Sequence, residues 1–201
     1  MLKDIRTVSF YDKNATEFAH GTINVDFSKV QDKFLALLPP KGRILDFGCG
    51  SGRDTKYFLK KGFCVDATDG STELCKLASE FTGIAVKHML FSELNADNYY
   101  DGIWACSSIL HLSKDELKDV IGKMIRATKV NGYIYTSFKY GSFEGYRNER
   151  YFTDFTEASF ETFIKDITEI KIIEYWISED VRPSRSEDKW LNLILRKLNT
   201  V

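Results

Sequence analysis

The 201-residue chain has no apolar run approaching the ~20 residues of a membrane-spanning helix, so no bilayer segment is expected. It lacks close cysteine pairs: Cys49, Cys64, Cys75 and Cys106 are scattered, without zinc-site spacing or disulfide-scaffold density, and read as reduced thiols. Neither sign of charge is in excess. With 28 Lys and Arg against 29 Asp and Glu, the formal net charge is -1, which excludes the global basic surplus of a duplex-binding protein and leaves room only for local patches. The first six residues, Met1-Leu2-Lys3-Asp4-Ile5-Arg6, carry charge where a signal peptide needs an apolar stretch, and a cytoplasmic protein is expected. Internal repeats, linkers and low-complexity segments are absent.

What is present is the composition of one globular domain, 43% hydrophobic and 28% charged, long enough to bury a core without staples. Behind the cap residue Asp26, Phe27, Val30, Phe34 and Leu37 recur at helical spacing until Pro39-Pro40 stops them. Residues 43–47 then read as a strand, followed by a glycine-rich turn and a helix over 53–60. The alternation repeats: a strand over 63–68, a helix capped by Ser71 with Leu74, Leu77, Ala78 and Phe81 on one face, and a strand over 84–89. A strand over 101–105 leads to the capping box Ser113-Lys114-Asp115-Glu116. The helix behind it turns Leu117, Val120, Ile121, Met124 and Ile125 inward and ends at Asn131-Gly132.

A fifth strand is expected over 132–138, then a polar stretch over 141–148, a helix over 156–165 and two late strands over 167–177 and 190–196 that pair as an antiparallel edge. Strands alternating with helices predict an α/β fold with a mostly parallel seven-stranded sheet, helices on both faces, and ligands at the carboxyl ends of the strands.

The turn Asp46-Phe47-Gly48-Cys49-Gly50-Ser51-Gly52 carries the chemistry. Glycines let the chain turn tightly and a ligand approach the backbone, while the next helix points its N-terminus at that ligand. The nicotinamide fingerprint requires glycine at residue 53, where this chain has arginine, and the Gly-Lys-Ser/Thr ending of a phosphate-binding Walker loop is missing. About 20 residues beyond the loop, where a ribose-binding acid is expected, stands Asp69, followed by Gly70 and Ser71. A carboxylate there accepts hydrogen bonds from both ribose hydroxyls.

The string Leu45 to Gly52 resembles motif I of the class I S-adenosylmethionine (SAM)-dependent methyltransferases, whose acidic residue precedes the first glycine by two. Further strings, Tyr11-Asp12 with Ala15, His88-Met89-Leu90-Phe91, Ser108-Ile109-Leu110-His111 and Asp180-Val181-Arg182-Pro183, extend the likeness to the C-terminus and make it similar to the small tellurite-resistance-like and thiopurine-like enzymes. The resemblance implies a Rossmann-like fold in a single domain over 1–201. Its expected parts are a helical cap or lid over 1–40, a SAM-binding core over 41–140, and a substrate-side loop, helix and strand pair over 141–201. It also implies that Asp46 helps hold the methionine end of SAM, with S-adenosylhomocysteine as product, and that Tyr11 folds over the cofactor; the alternative for Tyr11 is an aromatic core residue.

Cofactor contacts are thus expected from Tyr11, Asp46, Gly48, Cys49, Gly50, Gly52, Arg53, Asp69, Gly70, Ser71, Met89, Leu90 and Ala105. Many class I enzymes place an aspartate after strand three for the adenine amino group. Met89-Leu90 stands there instead, which leaves adenine to backbone groups and apolar packing.

On the acceptor side, His111 is the candidate base, or else a cap or packing histidine. Cys106 is a candidate ligand for a soft element, or else a buried structural thiol. Lys139, Arg147, Arg150, Tyr151, Arg182 and Arg185 hint at an anionic acceptor, against a plain solvated surface for any one of them. Trp190 reads as core. Ala105-Cys106-Ser107-Ser108 replaces the Asn/Asp-Pro-Pro-Tyr/Phe motif of DNA amino-methylases, so DNA is not expected. The expectation is a small-molecule acceptor, with an RNA base and a non-catalytic SAM sensor as alternatives; no metal and no membrane partner are expected.

Overall fold

A computed structural model describes residues 2–182 and 187–199. Pro183 and Arg185 lie outside the described residues. Three helices, α1 (Leu2–Lys13), α2 (Ala15–Thr22) and α3 (Ser28–Leu35), precede the alternating part. That part runs β1 (Arg43–Phe47), α4 (Arg53–Lys60), β2 (Cys64–Asp69), α5 (Thr72–Thr82), β3 (Lys87–His88), β4 (Tyr100–Ala105), α6 (Lys114–Ala127) and β5 (Thr128–Lys139). A hairpin, β6 (Glu144–Arg147) and β7 (Arg150–Thr153), and α7 (Glu157–Ile164) lead to β8 (Ile170–Glu179) and β9 (Lys189–Lys197).

The sheet has seven strands in the order β3-β2-β1-β4-β5-β9-β8. The first five are mutually parallel, and β9 and β8 add an antiparallel edge. The strand order therefore reverses between β1 and β4, which opens a crevice at their carboxyl ends. The expected seven-stranded, mostly parallel sheet is the one observed.

Each face carries its own apolar layer. On one side Phe34 of α3 and Phe58 of α4 meet Trp104 and Tyr135, which face each other across the β4–β5 register and stack at 4.0 Å. Burying each such ring stabilises by about 1.5–3 kcal/mol. On the other side Leu117, Val120, Ile121 and Met124 of α6 pack on Ile103, Ile134 and Leu193. The inward residues of α6 are those its periodicity predicts, and Glu116 Oε2 accepts the Ser113 N–H at 2.8 Å.

Several local expectations are corrected. Asp26 caps from one residue further out, its Oδ1 accepting the Ser28 N–H at 2.9 Å. On α5 the buried face is Leu74, Cys75, Ala78 and Thr82, while Leu77 and Phe81 are half-buried, because α4 and α2 pack on the helix's other flank. The strand expected over 84–89 pairs only at Lys87 and His88, since only Thr68 and Asp69 of β2 extend beside it. The second to last strand begins at Ile170, not 167, because α7 ends in a turn that closes from Ile167 N–H to Ile164 O.

The helix before β5 ends at Ala127, where Thr128 Oγ1 donates back to Met124 O at 2.8 Å; Asn131, with φ 66°, is a left-handed kink inside β5. The polar stretch 141–148 forms half of the β6–β7 hairpin. Its two-residue turn places both Asn148 (φ 45°) and Glu149 (φ 67°) in left-handed backbone, the geometry of a tight hairpin. No helix among the described residues is long and apolar enough to cross a membrane.

Candidate active site

At the crevice lies a cavity of about 670 Å³, floored by the ends of β1, β2, β4 and β5 and covered by α1, α2 and the β6–β7 hairpin. That volume falls within the ~300–1,000 Å³ of small-molecule sites.

The glycine loop forms one wall. Gly48 has φ 83°, and a Cβ there would stand 2.5 Å from Ser108 Cβ, so no side chain fits. Thr68 O accepts both the Gly48 and the Cys49 N–H at 2.9 Å. Asp69 ties the loop to the next element: its Oδ2 accepts the Gly50 N–H at 2.8 Å and its Oδ1 the Ser71 N–H at 2.9 Å. Burial raises the Asp69 carboxyl above its ordinary range, against those two backbone bonds. Each carboxylate oxygen has two lone-pair sites, so a diol entering the cavity still finds acceptors.

Gly48, Cys49, Gly50, Arg53, Asp69, Gly70, Ser71, Met89, Leu90 and Tyr11 all line this cavity. Asp46, Gly52 and Ala105 do not. Asp46 lies beneath the loop, 2% exposed, where it accepts Thr55 Oγ1 at 2.5 Å. Burial, reinforced by the charge of Asp54, pushes its carboxyl up to about 8. Gly52 opens α4 against Ala78 and Thr82 of α5, and Ala105 is fully buried in the sheet. Arg53 lines the cavity while paired to Asp54 at 2.7 Å, with its guanidinium over Phe27 at 4.8 Å. Asp54 is held further by Gln31 Nε2 (2.6 Å) and Trp104 Nε1 (2.8 Å).

The opposite wall holds the expected acceptor residues. His111 is buried between two partners: its Nδ1 is 2.6 Å from Tyr151 O and its Nε2 is 2.8 Å from Tyr11 Oη. A carbonyl only accepts, so Nδ1 carries the proton and Tyr11 donates to Nε2. Burial pushes His111 down to about 4, so the ring is neutral near pH 7. Cys106 lies at the end of β4, with Arg53 Nη2 at 3.9 Å, and burial pushes its thiol up to about 12. It is a neutral thiol there rather than a thiolate.

Lys139, Arg147, Arg150 and Arg182 line the cavity; the Tyr151 side chain does not. Tyr151 serves through its backbone, accepting from His111 and donating its N–H to Thr7 Oγ1 at 3.1 Å.

Sequence reasoning missed several residues that the fold brings in. Asp12 accepts Ser71 Oγ at 2.6 Å and so pins α1 to the rim of the glycine-loop wall. Phe91 would meet a Gly48 Cβ at 3.1 Å, placing its ring against the loop. Ser107, at φ 52°, is a non-glycine in left-handed backbone whose N–H reaches Ser137 Oγ at 2.9 Å. The only signals for these were proximity to quoted strings: Asp12 follows Tyr11, and Phe91 ends His88-Met89-Leu90-Phe91.

The fold and this crevice define the class I, Rossmann-like methyltransferase architecture. A methyltransferase-domain family model matches residues 44–132. An uncharacterized methyltransferase of Staphylococcus carnosus is 25% identical over 181 residues, covering 81% of this chain and 87% of that protein. The protein named "Probable S-adenosyl-L-methionine-dependent methyltransferase TehB" of Haemophilus influenzae is 28% identical over 141 residues, 63% of this chain; the match spans 46% of that relative's length. Among solved structures, the 1,6-didemethyltoxoflavin-N1-methyltransferase of Burkholderia thailandensis, with bound 1,6-didemethyltoxoflavin and S-adenosylhomocysteine, superposes with TM-score 0.78 at 20% identity. It covers 98% of this chain and 88% of its own. Residues 44–132 thus carry a methyltransferase domain, in a chain with the fold of the SAM-dependent methyltransferases.

Proposed function

We propose that this enzyme methylates a small acceptor, anionic or a soft nucleophile, by in-line displacement, in a cytoplasmic setting and as a single domain whose first 40 residues form the lid. One observation carries the reading: a single cavity joins the Asp69–glycine loop wall to the Tyr11–His111 pair. The Burkholderia neighbour, whose bound partner is a small heterocycle, supports an acceptor of that size.

The residues fit the cofactor. Asp69 offers its remaining lone pairs to ribose hydroxyls, the side-chain-free loop admits a ligand against its backbone, and Met89, Leu90 and Phe91 give adenine an apolar slot. SAM supplies an electrophilic methyl group on a sulfonium. The chain then has to align and dry the acceptor. Held by Asp69 and the glycine loop, SAM would supply the methyl carbon with its sulfur as leaving atom, and the chain's residues would set the acceptor's lone pair in line with it. Where the acceptor carries a proton, Tyr11 Oη receives it while passing its own proton to His111 Nε2. Lid residues enclose the reaction through Asp12 on one wall and Thr7 on the other. Cys106, as a neutral thiol, serves packing rather than soft-element capture.

The test is a mass-spectrometric screen for methylated product across thiols, tellurite, arsenite, carboxylates and RNA, with SAM supplied. A methylated small acceptor is expected. Methylation of RNA alone overturns the acceptor class, and SAM binding with no product from any acceptor favours a sensor.

A further inference from the structure

Six cations, Arg53, Lys139, Arg147, Arg150, Arg182 and Lys189, line the cavity, and Lys189 is the exposed one among them. Four are already neutralised within the protein. Arg53 pairs with Asp54 at 2.7 Å, Arg147 with Asp154 at 2.6 Å, Arg182 with Asp180 at 2.5 Å, and Lys139 with Asp188 at 2.6 Å. Arg150 differs. No carboxylate among the described residues is paired with it, and its Nε is buried with no hydrogen-bond partner.

Aromatic rings hold it in place: the guanidinium carbon lies 4.6 Å from the Phe10 ring centre, 5.3 Å from Phe152 and 5.9 Å from Tyr11. Ring faces attract a cation but do not cancel its charge. Arginine does not escape by losing its proton, and a buried donor left unmade is costly. The group is therefore a half-buried positive charge held beside the Tyr11 hydroxyl, with which it hydrogen-bonds, and its fork has donors to spare.

We propose that Arg150 is the anion seat for the methyl acceptor, and that the acceptor is a small, singly charged carboxylate whose nucleophilic atom stands beside the Tyr11 hydroxyl. The inference rests on the reading of this cavity as a methyl-transfer site. Lys189 is exposed and its charge is screened by water, so among the described residues Arg150 is the half-buried lining cation without a carboxylate, and it matches one negative charge. A dianionic phosphate would need a second. Of the other lining cations, Arg147 is paired to Asp154, and Lys139 and Arg182 are bound into a neutral network of two cations and two carboxylates, with Trp190 Nε1 also donating to Asp180 at 3.1 Å. Arg150 thus selects the acceptor without taking part in bond-making, and it is a specificity-determining residue.

The test titrates isotopically labelled protein, loaded with S-adenosylhomocysteine, with acetate, its neutral isostere acetamide, and inorganic phosphate. It follows the Arg150 Nε–H resonance and the heat of binding. Acetate should shift that resonance saturably and acetamide should not, because a carboxylate matches the guanidinium fork and a neutral amide does not. Arg150→Gln should lose the acetate heat at least about tenfold while keeping homocysteine-product affinity within about twofold; Arg150→Lys should recover part of it. An equal response to acetamide, acetate binding retained in Arg150→Gln, or phosphate bound about tenfold more tightly than acetate overturns the proposal. If S-adenosylhomocysteine itself fails to bind, the methyl-transfer reading falls, and the same titration of unloaded protein still decides the anion seat. Should Arg150→Gln not fold, the Arg150→Lys variant and the wild-type resonance carry the comparison.

Discussion

Tyr11, from the first helix, donates its hydroxyl proton to His111 Nε2 at 2.8 Å, one hundred residues away, while the other ring nitrogen of His111 is fixed by Tyr151 O. The pair ties α1 to the short turn at 109–111 after β4 and sets the phenol on the basic nitrogen. Tyr11→Phe therefore removes the relay and strands a buried acceptor. We expect kcat to fall about 10- to 100-fold, with S-adenosylhomocysteine affinity nearly unchanged. Steady-state kinetics on the acceptor found by screening, beside calorimetry, separate the two; an unchanged kcat removes Tyr11 from the reaction.

His111 also predicts a pH dependence of stability. Its value is lowered from 6.5 to about 4 by burial, so between those values the unfolded chain binds a proton that the folded one refuses. Stability from this group is thus present above pH 6.5 and lost as pH falls towards 4, by up to about 3 kcal/mol. Asp46, raised to about 8, works in the opposite sense, losing stability as pH rises. The comparison is therefore between wild type and His111→Gln in urea melts at pH 7 and pH 5. The wild type should lose more on acidification, and parallel losses would contradict the assignment.

Asp69→Ala removes the acceptor for the Gly50 and Ser71 N–H groups as well as the one proposed for the ribose. SAM binding should weaken by about 1.5–3 kcal/mol, that is, more than tenfold. Calorimetry showing wild-type affinity would disprove a ribose role for β2's last residue.

Gly48→Ala would force a Cβ to 2.5 Å from Ser108 in backbone of φ 83°. The loop must shift, and since its next two amides are tied to Thr68 O and Asp69, that wall of the cavity shifts with it. We expect loss of detectable SAM binding together with a lower Tm, whereas Gly62→Ala, also at positive φ but with open space around it, should lower only Tm.

The order of strands and helices was legible because each element's own residues encode it: period-two apolar runs, 3.6-residue faces such as Leu117 to Ile125, and the caps Ser71 and Ser113. The glycine loop and Asp69 were legible for the same reason, since turn chemistry and spacing from a strand end are local. Local patterns misled where partners decide. The 141–148 stretch reads as polar loop because Glu149 replaces the glycine that marks a tight hairpin, and its pairing with β7 exists only once both strands lie over the cavity. Asp46 has the sequence position of a cofactor contact, yet packing against Thr55 puts it beneath the loop.

By itself, then, the sequence determined the alternating sheet, the crevice at its strand ends and the glycine loop beside it, all set by short-range pattern. Only the tertiary structure decided which charges are free. Arg147, Arg150 and Arg182 are equivalent as letters, and they are distinguished by whether Asp154, Asp180 or, among the described residues, no carboxylate pairs with them, a long-range electrostatic fact that no local spacing carries. The same holds for His111, whose tautomer and basicity come from Tyr11 and Tyr151, brought together by burial.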